Sequence, residues 1–121
     1  MKAPPMARIT GIGGLFFRAR DPQALNEWYD EHLLNRVDPF SWQQQAGPTV
    51  FAPFRADSDY FPADRQYMLN LRVEGLADLI TTLHAAGIPV ETRAEWDGEH
   101  GTFARIHDPE GNPIQLWQPP A

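Results

Sequence analysis

Apolar and polar positions alternate along this chain in two successive rounds of the same order. From Arg8 to Arg20 the run RITGIGGLFFRAR has apolar residues without helical spacing and three glycines, which predicts an extended strand. Asp21-Pro22 then supplies a helix start, and Leu25, Trp28, Tyr29 and Leu33 recur at three-to-four spacing, so a helix is expected to about Leu34. FSWQQQ and TVFAPF, divided by Ala46-Gly47-Pro48, read as two strands around a turn. RADSDYFPADR is polar, aperiodic and interrupted by proline. It is the longest expected loop, and loops of that length often act as lids or binding segments.

The second round begins at YMLNLRV, a strand by its alternation, and continues with Leu76, Leu79, Ile80 and Leu83 on one helical face, closed by Gly87. IPVETRAEW, TFARIH and NPIQLWQ follow as strands, with DPEGN as a tight turn between the last two. The rounds superpose within the sequence. Leu15-Phe16-Phe17-Arg18-Ala19 lies on Leu69-Asn70-Leu71-Arg72-Val73 at an offset of 54, and Leu25 then falls on Leu79. Pro48-Thr49-Val50-Phe51 lies on Asn112-Pro113-Ile114-Gln115 at an offset of 64, because the second round is longer between its helix and its last strand. The expected fold class is α+β, one domain over residues 8–119, made of two βαβββ modules at about 8–62 and 66–119.

Composition narrows the function. At 121 residues and 42% hydrophobic content, a single packed domain is expected. Ten basic against sixteen acidic residues give a net charge of −6, which argues against nucleic acid as a partner. The absence of cysteine removes disulfides, thiolate metal sites and a cysteine nucleophile together. No run of about 18 apolar residues spans a bilayer, and MKAPPMAR lacks a signal-peptide core, so the expectation is a cytoplasmic protein without a membrane. The glycine-rich Thr10–Gly14 run precedes no helix and no P-loop lysine, so it is not read as a phosphate cradle.

Two βαβββ units with a strand-Asp-Pro-helix opening and the closing DPEGNPIQLWQP resemble the vicinal-oxygen-chelate superfamily of glyoxalase, bleomycin-resistance and extradiol-dioxygenase proteins, over nearly the whole chain. The resemblance implies a mixed sheet curled into a cup, helices outside, a site within the cup, and a homodimer. It also implies four metal-ligand positions, which here hold Gly14, Phe51, Met68 and Gln115. A hard or borderline divalent ion needs imidazole or carboxylate donors. These four residues supply one neutral amide and one thioether, so no cofactor is expected.

Strand alternation assigns the faces. If Leu15, Phe17 and Ala19 face helix one, then Gly14, Phe16 and Arg18 face the cup; Met68, Asn70 and Arg72 are their counterparts in the second round. Phe103, Arg105 and His107, with Gln115 and Trp117, join that inner face. Phe16, Phe51, Met68, Phe103 and Trp117 would form an apolar wall, with Asn70 and Gln115 as polar groups and Arg18, Arg72 and Arg105 as anchors for an anionic or aromatic small molecule. The bland reading is open beside it: strand-end arginines snorkel to water and pair with surface carboxylates. His32 and His84, late on the helices, are read as surface or capping residues. Two further readings remain, a glyoxalase-type lyase or isomerase with His100, His107 or Glu99 as metal ligands, and a metal-free enzyme with His107 as acid or base beside Arg105.

Overall fold

The computed structural model describes residues 7–38 and 40–121. Helix α1 (Pro22–Tyr29) starts where the Asp-Pro pair predicts. Asp21 Oδ1 accepts the Ala24 N–H at 3.1 Å, satisfying one of the donors that a helix start leaves free. The helix then widens into a π turn over Asp30–Leu34, which Asn35 ends in the left-handed region at φ 50°. Helix α2 (Leu76–Ala85) is entered through Gly75, and its Leu76 N–H donates to Gln118 Oε1 at 2.7 Å. Its end is the glycine stop expected: Gly87 takes φ 79°, and Gly87 and Ile88 donate to the carbonyls of His84 and Leu83.

Strands β1 (Leu69–Arg72), β2 (Thr102–His107) and β3 (Pro113–Gln118) form a mixed sheet in the order β1-β3-β2. β1 runs parallel to β3, and β2 and β3 form an antiparallel hairpin. One sheet face is the core. Ala104, Ile106, Ile114 and Leu116 are fully buried there with Leu71, beneath Leu25 and Tyr29 of α1 and Leu76 and Leu83 of α2. Both helices therefore cover the same face, as the alternation of β2 and β3 requires.

The β2–β3 turn is more than a turn. Asp108 is buried and accepts from the backbone N–H groups of Glu110 and Asn112, from Asn112 Nδ2 at 2.8 Å and from the Tyr29 hydroxyl at 2.7 Å. Gly111 sits at φ 83°, outside the ordinary range of a residue with a side chain. Glu110 reaches back to accept the N–H groups of Arg20 and Asp21 at 2.6 and 2.9 Å, which pulls its carboxyl below the usual range. The hairpin thus holds the start and the end of α1 together.

The strands expected over 8–20, FSWQQQ and TVFAPF do not form within the chain: among the described residues, 7–20 and 40–54 carry no strand pairing. A strand exists only by pairing its backbone, and these segments meet no partner edge here. IPVETRAEW is also corrected. It pairs only at Glu91, which bridges Arg105, and then turns through a short 3₁₀ helix, Ala94–Trp96. The second round thus folds as a strand, a helix and a sheet, whereas of the first only the helix forms, and the three-stranded sheet is not a closed barrel.

Candidate functional site

The sheet face away from the helices carries the residues that alternation assigns to the cup. Across one row stand Asn70, Gln115 and Arg105; across the next stand Arg72, Trp117 and Phe103. In the first row, Asn70 Nδ2 donates to Gln115 Oε1 at 2.5 Å, and Gln115 Nε2 donates to the Tyr60 hydroxyl at 2.7 Å. In the second, the rings of Phe103 and Trp117 lie nearly parallel at 6.4 Å, and Trp117 Nε1 donates to the His100 carbonyl.

Arg105 is the unusual member. It is 6% exposed, with its guanidinium 5.1 Å from the Tyr60 ring and 5.4 Å from the Trp96 ring. Nη2 donates to the Tyr60 carbonyl at 3.0 Å, and Nε is buried with no hydrogen-bond partner. No carboxylate among the described residues forms an ion pair with it. Glu91, its backbone neighbour, gives its carboxylate to Arg93 at 2.6 Å instead. Desolvating a charge costs several kcal/mol per ion, roughly, unless it is paired. The flanking rings return about 0.5 to 2 kcal/mol each through cation–π attraction, so the site keeps a cation that a counter-ion would stabilise further.

Two loops lie over this face. Arg72 reaches the first, donating to the carbonyls of Pro48 and Gln45 at 2.5 and 2.6 Å. Tyr60 belongs to the second, the long polar loop, where Phe54 packs against both Tyr60 and Phe61. Tyr60 and Trp96 were not legible as site residues. The one available signal was aromatic side chains within a long loop and beside a strand end.

The other expected site residues are not gathered here. Phe16 and Phe51 are 98% and 86% exposed, and Arg18 is exposed as well. Met68 is half-buried just before β1. His107 lies on the Arg105 side of β2, exposed, two residues further along. His100 and Glu99 form an exposed pair at the opposite end of that strand. Six residues of strand rise about 17 Å between its ends, so His107 and His100 do not share one ion. Among the described residues no three His, Asp or Glu side chains lie together as a metal site. Of the positions that the resemblance assigns to metal ligands, Gln115 is engaged by Asn70 and Tyr60, and Gly14 and Phe51 carry no donor side chain.

The fold and face define a class: a small α+β protein whose two helices cover one side of a mixed sheet, with the polar-aromatic side met by loops. TnmS3, described as an antibiotic binding protein from Streptomyces sp. CB03234, is similar in structure with a TM-score of 0.57 and 24% identity, over 94% of this chain and 99% of that one. The likeness establishes a shared fold. No protein-family model matches the chain, and no curated protein does. No helix among the described residues is long and apolar enough to cross a membrane.

Proposed function

We propose that this chain is a metal-independent small-molecule-binding protein of the vicinal-oxygen-chelate kind, acting as a cytoplasmic homodimer, whose ligand is an aromatic or apolar molecule bearing an anionic group. The observation that carries the reading is Arg105: a cation 6% exposed, beside two aromatic rings, with a buried unpartnered Nε and, among the described residues, no carboxylate paired with it. A carboxylate or phosphate on the ligand supplies the missing charge, and Phe103, Trp117, Tyr60 and Trp96 supply flat apolar contact. The antibiotic-binding description of TnmS3 supports small-molecule binding on this fold.

The test is calorimetric titration with 1-naphthoate and with its neutral counterpart 1-naphthamide, on the wild type and on Arg105→Leu. The acid is expected to bind more tightly than the amide, and Arg105→Leu to remove that preference. Equal binding of acid and amide by the wild type would sink the anion assignment. A stoichiometric metal whose removal lowers the melting temperature would sink metal independence.

A further inference from the structure

Arg105 is only 6% exposed although it lies on the sheet face away from the helices, so something else covers it. The cover is the long polar loop. A guanidinium presents a side-on fork, Nε with Nη2, that takes a carboxylate through two parallel bonds. The chain shows this fork at Arg36 with Asp30 and at Arg55 with Asp57. At Arg105 the same fork is half used. Nη2 donates to the Tyr60 backbone carbonyl at 3.0 Å, and the buried Nε has no partner. The neutral carbonyl thus stands where a carboxylate would sit and satisfies a single prong.

The Tyr60 side chain holds the carbonyl there. Its ring lies 5.1 Å from the guanidinium and 6.4 Å from the Trp96 ring, and its hydroxyl oxygen accepts from Gln115 Nε2 at 2.7 Å. Gln115 is itself fixed by Asn70. Beyond Tyr60 the loop ends on a firm post: Arg65 donates to Asn112 Oδ1 and to the Glu110 carbonyl on the β2–β3 turn, and its N–H closes a turn on Pro62. Before Tyr60 the bonds are local. Ser58 N–H donates to the Arg55 carbonyl, Tyr60 N–H to Ser58 Oγ, and Arg55 pairs with Asp57. Among the described residues, every hydrogen bond that ties 54–60 to the sheet is made by Tyr60. The segment can therefore leave the sheet with its own turn intact, pivoting between Tyr60 and Arg65.

We infer that Tyr60 is a gate on the anion site: closed, it fills the Arg105 fork with its own carbonyl, and a ligand enters only when carbonyl and phenol let go. Control of a ligand rests on the small-molecule reading above, whereas the gate itself does not. With a carboxylate present the exchange is favourable, because one bond to a neutral carbonyl gives way to two charge-assisted bonds and Nε gains its partner. Every contact that holds Tyr60 down lowers the apparent affinity, since the ligand meets only the open fraction.

Arginine modification by phenylglyoxal, located by peptide mass, reads the gate without a ligand. In the wild type, Arg105 is expected to react far more slowly than the exposed Arg18. Tyr60→Phe keeps the ring and removes the latch on Gln115. It should speed modification of Arg105 about twofold to tenfold, the effect of one hydrogen bond, while Arg36, paired with Asp30, keeps its rate. The same variant should bind 1-naphthoate more tightly by a matching factor. An Arg105 that reacts as fast as Arg18 in the wild type, that Tyr60→Phe does not accelerate, or whose acceleration Arg36 shares, overturns the gate. Faster modification with unchanged or weaker naphthoate binding overturns its control of the ligand. If the wild type binds neither naphthoate nor other aromatic acids, the small-molecule reading fails, and the modification rates still decide the gate.

Discussion

The two halves of this chain begin from matching patterns and end in different states. In the second, Leu71, Ile114 and Leu116 close a core against both helices, and the opposite face is left for Asn70, Gln115 and Arg105. In the first, Phe17, Val50 and Ala52 occupy equivalent positions and are exposed. Local pattern accounts for part of the difference, since Phe16 stands where the second half has Asn70 and Gly11, Gly13 and Gly14 precede the first segment. The rest is supply: α1, which the repeat would place over its own half, packs with α2 over the second-half sheet, through Leu25 and through Tyr29 on Asp108. One sheet takes two helices, and the other half has none left to cover its apolar side.

The largest expected effect separates the halves by stability. Leu116→Ala, at a fully buried position, should destabilise the chain by about 2 to 5 kcal/mol, the range for emptying a core site. Phe16→Ala, at a position 98% exposed, should change the stability by less than about 0.5 kcal/mol. Urea unfolding at two protein concentrations checks both. A large, concentration-independent loss for Phe16→Ala would mean that the first half is packed within its own chain.

Next in size is Arg105. Its replacement by leucine should weaken binding of an aromatic acid about tenfold to a hundredfold, as hydrogen bonds to charged groups are worth roughly 1.5 to 3 kcal/mol. The fold should not suffer, because the substitution removes a buried, unpaired charge. Calorimetry and thermal melting of the same sample decide this. A variant that binds normally yet melts early would make Arg105 a structural residue of the second half alone.

A smaller loss is expected for Tyr29→Phe, about 1 to 1.5 kcal/mol, because Asp108 keeps its other donors when the phenol is removed. Burial, first, and the Asp108 carboxylate raise the Tyr29 phenol well above its ordinary value of 10.0. Its contribution is complete below that pH and is lost as pH rises through the folded-state value. Alkaline denaturation followed by tyrosinate absorbance should show Tyr29 ionising with unfolding, not before it.

The smallest effect is acid-dependent. The Asp21 and Arg20 N–H groups hold the Glu110 carboxyl below its ordinary 4.5. The stability it contributes is therefore present above that value and lost as pH falls through the lowered one. Glu110→Gln should flatten the stability profile on the acid side and leave neutral binding unchanged. An unaltered acid limb would show that the hairpin does not anchor α1 through this contact.

Much of the second half, and the start of the first half's helix, was legible in the sequence. The Asp-Pro start of α1, the Gly87 stop of α2 and the inward set Asn70, Arg72, Phe103, Arg105, Gln115 and Trp117 follow from capping chemistry and the two-residue period of a strand. These signals are local, so a linear reading reaches them. The DPEGN turn was half legible: its Pro109 and Gly111 announce a reversal, but that Asp108 would be buried and bonded to Tyr29, 79 residues away, has no local signature. Tyr60 and Trp96 around Arg105 belong to the same kind, brought in by loops whose path no periodicity encodes. What the linear pattern determined was which residues can form strands and which faces they present. Only the tertiary structure decided which strands formed, because a helix can complete its hydrogen bonds within itself and a strand cannot. Residues 69–72 found β3, and residues 15–18 found no edge within the chain.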